Sequence, residues 1–598
     1  MTRLTVDHLI RCGEAQLPSR SKTYLGLNMG GNSPNVNFEI SQIARPLVAN
    51  VPDVLVDLIE IAAYVYCADQ ATTRGGDGVV AVGKHWRRKF SFHVPVRVPD
   101  LWSSSSVQVA LQETLGFLSD DEYTFHFSKS RASKAMQSYF SFSDADASQN
   151  WIDDVVLFSG GLDSLAGGVL ESVRDSRKIA FVSHRSNPKI YSKQRKLISR
   201  LADHCKVDRK PFHVAVWVHK EGSLTHEHTQ RSRSFLFAAL GATVARLFGK
   251  TRIRFYENGI VSLNLPISEQ VVGARATRTT HPQVLNGFAA LFSLLFNKTF
   301  SVENPFLWET KTEVVNRIGD HGCADLIKDS VSCTHTRQQT LQHSHCGNCS
   351  QCVSRRFATL ASRYATSDPQ SIYGNDVLFG AREPGVDLTL LESFIRTATN
   401  LGEMNEHQII ENYGEVSRVL RHVAPLSADE VAGKVCELHT RHSSEVTGVL
   451  DRAISSSATA IREGKLPLTC AIVLAVRDRN RFDVPVEAVA SPATPVKNVI
   501  SAVNPDNVPK HGRAAGRRAD TKYNRALAGY IASFDVDNWR ERLPELCEFL
   551  DTEKVQLPFS EKWKTNGCND WTDVGQVDRE GLVKALQHRL TWVAQHPE

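Results

Sequence analysis

The sequence predicts an α/β protein: a central, mostly parallel sheet covered by helices on both faces, preceded by an α+β region and followed by a mostly helical one. Three observations carry this expectation. Short apolar or β-branched runs alternate with helical stretches between residues 151 and 384; the first of these runs ends on paired glycines; and beyond residue 385 helical periodicity stands alone. The 598 residues are too many for one hydrophobic core. The expected divisions are 1–150, 151–384, 385–483, a linker at 484–520 and a small helical module at 521–598.

The elements follow in chain order. VPDVLVDLIEIAAYVYCADQ (51–70) has the length and apolar spacing of a buried helix. Residues 87–98 alternate Phe90, Phe92, Val94 and Val96 on one face, and residues 121–130 repeat the pattern with Tyr123, Phe125 and Phe127. These aromatic stripes read as core rather than as a stacking platform. DDVVLFSG (153–160), KIAFVSH (178–184), FHVAVWV (212–218), RIRFYENG (252–259) and TFSVENPF (299–306) are the strands of the central sheet. Parallel sheets of this kind take ligands at the carboxyl ends of their strands. VDLTLLESFIRTATNL (386–401) opens the helical region. The proline-bearing stretch after it ends in Lys510, Arg513, Arg517, Arg518 and Lys522, read as a solvated linker. Leu582, Val583, Leu586, Leu590 and Val593 mark one face of a last helix.

Composition limits the function. Hydrophobic content of 41% and charged content of 23% describe an ordinary globular chain, and a net charge of +5 permits anionic ligands without indicating a nucleic-acid binder. No run of eighteen apolar residues suggests a membrane span, and the opening MTRLTVDHLIRCGEAQLPSR lacks the apolar region of a secretory signal, so the cytoplasm is expected. Of twelve cysteines, Cys12, Cys67, Cys205, Cys323, Cys436, Cys470, Cys547 and Cys568 stand singly, as reduced thiols do in such a compartment.

The glycine pair lies in Ser159-Gly160-Gly161-Leu162-Asp163-Ser164, directly after Val155–Phe158. Two glycines take positive φ at no steric cost, so successive N–H groups can point into one concavity, and the helix starting near Leu162 adds its positive end. Ser159 and Ser164 offer hydroxyls to phosphate oxygens, while Asp163 can orient the loop or help hold a metal ion. A structural turn needs none of these flanking groups. The Walker loop, the dinucleotide fingerprint and the serine-hydrolase elbow cannot be drawn through these residues.

The remaining cysteines are grouped. Cys333 precedes a C-x-x-C-x-x-C run formed by Cys346, Cys349 and Cys352. Four converging thiolates suit a closed, structural tetrahedral zinc site, with His343 or His345 able to replace one thiol. A ferredoxin-type cluster would want a further cysteine where Arg356 and Phe357 stand.

The S-G-G-x-D-S loop resembles the pyrophosphatase (PP) loop of enzymes that adenylate a substrate and release pyrophosphate. Loop and cysteine quartet together resemble the 7-cyano-7-deazaguanine synthase family, over roughly residues 150–380. QRSRSFLFAALGATVA (230–245), YENGIVSLNLP (256–266) and NPFLWETKTEVV (304–315) agree in order with its arginine-bearing segment, substrate-side loop and P-[LF]-x-W-x-x-K-x-E segment. The resemblance implies a Rossmann-like fold of the adenine nucleotide alpha hydrolase type. It implies ATP and Mg²⁺ held by Ser159, Gly160, Gly161, Leu162, Asp163 and Ser164, with the backbone of Phe181, Val182 and Ser183 against the adenine. Lys311, Arg231 and Arg233, with Asp163, are the candidate catalytic residues, and Zn²⁺ occupies the quartet. The long Cys333–Cys346 gap and the large additions at both ends are similar to the enlarged homologues of bacterial antiviral clusters. That implies a ligase joining a deazaguanine carboxylic acid to an amine of a co-encoded protein. The rivals are synthesis of the free nitrile from ammonia, tRNA thiolation through Cys323, and a module that binds ATP without turnover.

Overall fold

The computed structural model describes residues 6–18, 23–29, 34–38, 51–74, 87–130, 152–185, 188–227, 231–265, 278–335, 338–340 and 342–479. The chain divides into two compact units, 1–487 and 488–598, and every described residue belongs to the first. The sequence-based boundaries near 150 and 384 fall inside that unit. The linker, its basic end, the last helix, Cys547 and Cys568 lie outside the described residues.

In chain order the elements are β1 (Val6–Cys12), β2 (Leu25–Leu27), β3 (Val36–Phe38), α1 (Asp53–Ala71), β4 (Arg88–Val96), α2 (Ser105–Ser119) and β5 (Glu122–Lys129). The central region follows with β6 (Asp154–Leu157), α3 (Leu162–Val169), β7 (Ile179–Arg185), α4 (Pro188–Asp203), β8 (Phe212–Lys220), α5 (Arg233–Leu247) and β9 (Arg252–Arg254). It continues through α6 (Pro282–Phe296), β10 (Ser301–Glu303), α7 (Lys311–Asp320) and α8 (Ser350–Ala361). The principal later helices are α9 (Val386–Glu403), α10 (Ala428–Ser456) and α11 (Ala471–Arg479).

Two sheets form. The N-terminal sheet has the order β2-β1-β4-β5 and is parallel throughout. The central sheet has the order β10-β9-β6-β7-β8-β3, parallel except for β3, which pairs antiparallel with β8. A strand from the N-terminal region therefore completes the central sheet.

Burial explains the residue pattern. In β6, Val155 and Leu157 enter a core shared with the N-terminal sheet, whereas Val156 and Phe158 enter the core beneath α3, α4 and α7. In β7, Ala180 and Val182 take the first side and Ile179 and Phe181 the second. A strand buried on both faces reads as a continuous apolar run. Phe90, Phe92, Tyr123 and Phe125 are buried and stacked at 5.2 to 6.3 Å, so the aromatic stripes are core. The strands RIRFYENG and TFSVENPF are shorter than their apolar runs. The Glu257 N–H donates to the Asn304 side chain at 3.0 Å, which ends the ladder and turns the chain toward the loop of β6.

The helical region rests on α10. Ser427 and Glu430 form a capping box at its start, and Val431, Val435, Leu438, Val446, Val449 and Leu450 form its buried stripe. Among the described residues no helix is long and apolar enough to cross a membrane, and no cysteine is in a disulfide.

Candidate active site and metal centre

The glycine loop sits where β6 ends. The Phe158 N–H donates to the Val182 carbonyl at 2.8 Å, the last tie to the sheet before the chain turns. Gly160 then adopts φ +88°, a conformation that a side chain disfavours. The Gly160 N–H donates to Ser164 Oγ at 3.1 Å and the Gly161 N–H to Ser159 Oγ at 3.3 Å, while the two serine oxygens lie 3.1 Å apart. Two amides and two hydroxyls thus converge at the start of α3, whose N-cap, Gly161, supplies no side-chain acceptor. Such a cradle is matched to phosphate oxygens. Outside supports fix it: Gln194 Nε2 donates to the Ser159 carbonyl at 3.0 Å and the Val331 N–H to the Gly160 carbonyl at 2.8 Å.

Asp163 is the hub beside this cradle. Lys311 Nζ donates to its Oδ2 at 2.7 Å, and Asn258 donates to its Oδ1 through Nδ2 at 2.8 Å and the backbone N–H at 3.1 Å. Burial alone would raise the pKa of this carboxyl, but Lys311 and Asn258 outweigh it and hold the pKa below the ordinary value. Lys311 is the first residue of α7, which Thr310 and Glu313 close with a capping box. Glu313 therefore caps a helix, and it also pairs with Arg441 at 3.0 Å.

The cysteine quartet is assembled nearby. The sulfurs of Cys333, Cys346, Cys349 and Cys352 all lie within 4.8 Å of one another, and all four residues are buried. Cys346 and Cys352 are 3.8 Å apart, the edge of a tetrahedron with Zn–S bonds of about 2.3 Å. The N–H groups of Asn348 and Cys349 both donate to Cys346 Sγ at 3.4 Å, as suits a thiolate. Gly347 holds this turn at φ +84°, where a Cβ would lie 2.0 Å from the Asn375 carbonyl oxygen. Neither His343 nor His345 belongs to the quartet. Four thiols at this spacing fit zinc, and together they would close its coordination, as structural sites do.

Residues 268–362 match the family model described as queuosine biosynthesis protein QueC. That stretch contains Lys311 and all four quartet cysteines, and Lys311 reaches the glycine loop through Asp163. Over this stretch the chain is QueC-like. Among curated proteins, none matches it significantly. The QueC likeness supports an ATP-using reaction of the deazaguanine type.

The QueC-like stretch and the loop share a cavity of about 680 Å³, within the usual range for small-molecule sites. Ser159, Gly160, Gly161, Asp163 and Ser164 line it, as does Cys333. Leu162 is buried beneath it in the core. Phe181, Val182 and Ser183 are fully buried inside β7 and are not among the lining residues; Ser183 Oγ donates to the Phe158 carbonyl at 2.7 Å. Arg233 lines the cavity with its guanidinium 5.3 Å from the Phe237 ring centre. Arg231 is not a lining residue, and burial, with Arg74 nearby, lowers its pKa to about 10. Cys323 is buried in the core beneath α7, outside the lining, with its thiol pushed up to about 12 by burial.

Several lining residues are not singled out by the sequence. Glu257 accepts from Thr280 Oγ1 at 2.7 Å, and burial, reinforced by Asp163, raises its pKa to about 7. Its sequence signals are its place just beyond a strand of the parallel sheet and inside the 256–266 segment that resembles a substrate-side loop. Lys193 and Gln194 come from α4, Tyr66 and Gln70 from α1, and Lys220 from β8. Only the folded chain brings these together.

Proposed function

We propose that this protein is an ATP-dependent carbon–nitrogen ligase that adenylates a deazaguanine-type carboxylate and transfers the acyl group to an amine. The observation that carries the reading is the Lys311–Asp163 contact of 2.7 Å, which ties the QueC-like stretch to the glycine loop: Asp163 lines the cavity, and Lys311 stands behind it, outside the lining.

A carboxylate is a poor electrophile because its leaving group would be oxide. Ser159, Gly160, Gly161 and Ser164 hold the β- and γ-phosphates, and Asp163 would help hold a Mg²⁺ ion, which when bound would neutralise phosphate charge. A carboxylate oxygen of the acid forms a bond to the α-phosphorus as the bond to pyrophosphate breaks. An amine nitrogen then bonds to the acyl carbon, the bond to AMP breaks, and the nitrogen sheds a proton. Arg233, on the cavity wall, steadies the anionic charge, and Lys311 acts through Asp163, which it holds in place. Glu257, which titrates near neutrality in this cavity, is suited to receive the proton. The quartet holds zinc away from these steps, as a brace.

The acceptor we propose is an amine of a partner protein, in antiviral defence and in the cytoplasm, where single thiols stay reduced. The support for it is that most of the 598 residues lie outside the matched stretch. The divisions at 150, 384, 483 and 520 are proposed as the functional regions of that larger enzyme. The buried, protonated Cys323 speaks against thiolation.

The test is acid-dependent pyrophosphate release from ATP with 7-carboxy-7-deazaguanine. Asp163→Ala and Ser159→Ala should abolish it while circular dichroism stays unchanged. Product analysis with ammonium, and separately with a co-encoded protein, distinguishes free nitrile from a conjugate. Undiminished turnover in both variants would remove the reading.

A further inference from the structure

The cavity has a wall that the QueC-like stretch does not supply. Tyr66 and Gln70 come from α1, Lys220 from the end of β8, and Arg233, Ser234 and Phe237 from α5. This wall is built rigidly. Asp69 accepts from both the N–H and the Oγ of Ser232 at 2.9 Å, joining α1 to the start of α5. The same carboxylate pairs with Arg88 at 2.5 Å and Arg74 at 3.4 Å, all three side chains being buried. Gln70 follows Asp69 directly, and Arg233 and Ser234 follow Ser232, so one buried ionic knot sets the spacing of the wall's polar groups.

Among the described residues, those groups have few protein partners of the kind they need. Gln70 and Ser234 are only 6% and 3% exposed, yet among the described residues Ser234 Oγ meets no hydrogen-bond partner and Gln70 has at most the Tyr66 phenol beside it. The Gln70 side chain lies against the Tyr66 phenol as a hydrogen-bonding neighbour that opposes the rise in pKa imposed by burial, so the two present one polar edge to the cavity. Among the described residues, neither Lys220 nor Arg233 is paired with a carboxylate; Lys220 Nζ donates to Thr225 Oγ1, and Arg233 lies over the Phe237 ring. Buried donors without acceptors and cations without anions are costly. They persist where a ligand completes them. Tyr66 and Phe237 flank His184 edge-on at 5.3 and 5.8 Å, giving the wall an aromatic surface. A ligand that answers all of this is flat and aromatic, bears hydrogen-bond acceptors on its edge, and carries a negative charge.

We propose that Tyr66, Gln70, Lys220 and Arg233 form the subsite for a planar heteroaromatic carboxylic acid, so that the N-terminal region sets acid specificity. The inference rests on the adenylating reading above and assigns the acid-binding half of that site. Gln70 and Arg233 donate to the acid's edge oxygens and carboxylate, Lys220 supplies the second cation, and Tyr66 covers the ring.

The test is isothermal titration of the full chain with 7-carboxy-7-deazaguanine and, separately, with ATP and Mg²⁺. Gln70→Leu and Lys220→Met should each weaken binding of the acid at least tenfold while the ATP dissociation constant stays within twofold of wild type. The ATP measurement also verifies folding, and the second variant serves if the first does not fold. Unchanged acid affinity in both variants overturns the subsite and leaves the adenylating reading standing. Parallel loss of acid and ATP binding also overturns it, since the wall would then serve the whole cavity. Wild-type protein that binds ATP but no acid overturns the subsite and the acid's identity together, whereas binding of neither removes the ATP reading as well.

Discussion

Glu257→Gln should stabilise the protein at pH 8 more than at pH 5. The carboxyl lines the cavity, gives one oxygen to Thr280 at 2.7 Å, and has its pKa raised from an ordinary 4.5 to about 7, chiefly by burial. Below about pH 4.5 folded and unfolded chains both hold the proton, so the group contributes nothing. As pH rises from there to about 7 the unfolded chain releases its proton and the folded chain does not, and wild-type stability falls. The full difference is worth about 3 kcal/mol at 1.36 kcal/mol per unit, and water entering the cavity lowers it. Glutamine keeps the bond from Thr280 and never ionises. Its advantage over wild type should therefore grow by about 1–2.5 kcal/mol between pH 5 and pH 8. Urea unfolding of both full-length proteins at the two pH values measures this, and effects common to both cancel in the comparison. An advantage equal at both pH values would mean the carboxyl titrates normally. A larger advantage at pH 5 would mean that Lys311 stabilises the ionised form, which reverses the reasoning.

Three further outcomes are expected. Gly160→Ala places a Cβ at φ +88° and 3.2 Å from Gln194 Cγ; a strain of about 1–2 kcal/mol should raise the ATP dissociation constant roughly 5- to 30-fold by calorimetry, and an unchanged value would mean this loop does not wrap phosphates. Lys311→Met leaves Asp163 with Asn258 as its one remaining partner and removes a charge-assisted bond worth about 2 kcal/mol, so pyrophosphate release should fall about 30-fold or more, while undiminished release would place Lys311 outside the chemistry. Purified protein should carry one zinc per chain by atomic absorption, and Cys349→Ser should lower both zinc retention and ATP affinity; zinc loss without any change in ATP binding would separate the metal centre from the loop.

The central sheet was legible because its strands are buried on both faces, and a short β-branched run ending in glycine has few other readings. The loop and quartet were legible because their chemistry is local in sequence: five of the loop's six residues line the cavity, and three of the four thiols lie within seven positions of one another. The N-terminal contribution was not legible. β3 is three residues long, and its pairing with β8 spans more than 170 positions, a relation that no periodicity records. Tyr66 and Gln70 sit in a helix that reads as buried apolar core, because the groove they line exists only once Asp69 has docked on Ser232. Phe181–Ser183 illustrates the opposite error. The apolar run was found, but β7 continues to Arg185, so its carboxyl end lies beyond the residues singled out.

The quartet's distance in sequence from the loop hides how directly it supports it. Cys333 stands two residues after Val331, whose N–H holds the Gly160 carbonyl at 2.8 Å. On the other side, Arg355 of α8, the helix that carries Cys352, donates to the carbonyls of Ser330 and Ile327 at 3.1 and 2.8 Å and pairs with Asp368 at 2.7 Å, all in full burial. The segment 327–333 is thus pinned at both ends by α8 and the thiols, and it presents one amide to the loop. The helical region adds a second tie: Glu445 of α10 accepts from Thr310 Oγ1 at 2.6 Å, and Thr310 caps the helix that begins with Lys311. A phosphate cradle stabilises transferring charge only if its donors stay put when the charge moves. Here Gly160 is held through the segment that leads to Cys333, and Lys311 through α10. The quartet segment and α10 accordingly act on the glycine loop through two short, named contacts, and if that loop holds ATP as proposed, a change at either should move ATP binding before it moves global stability.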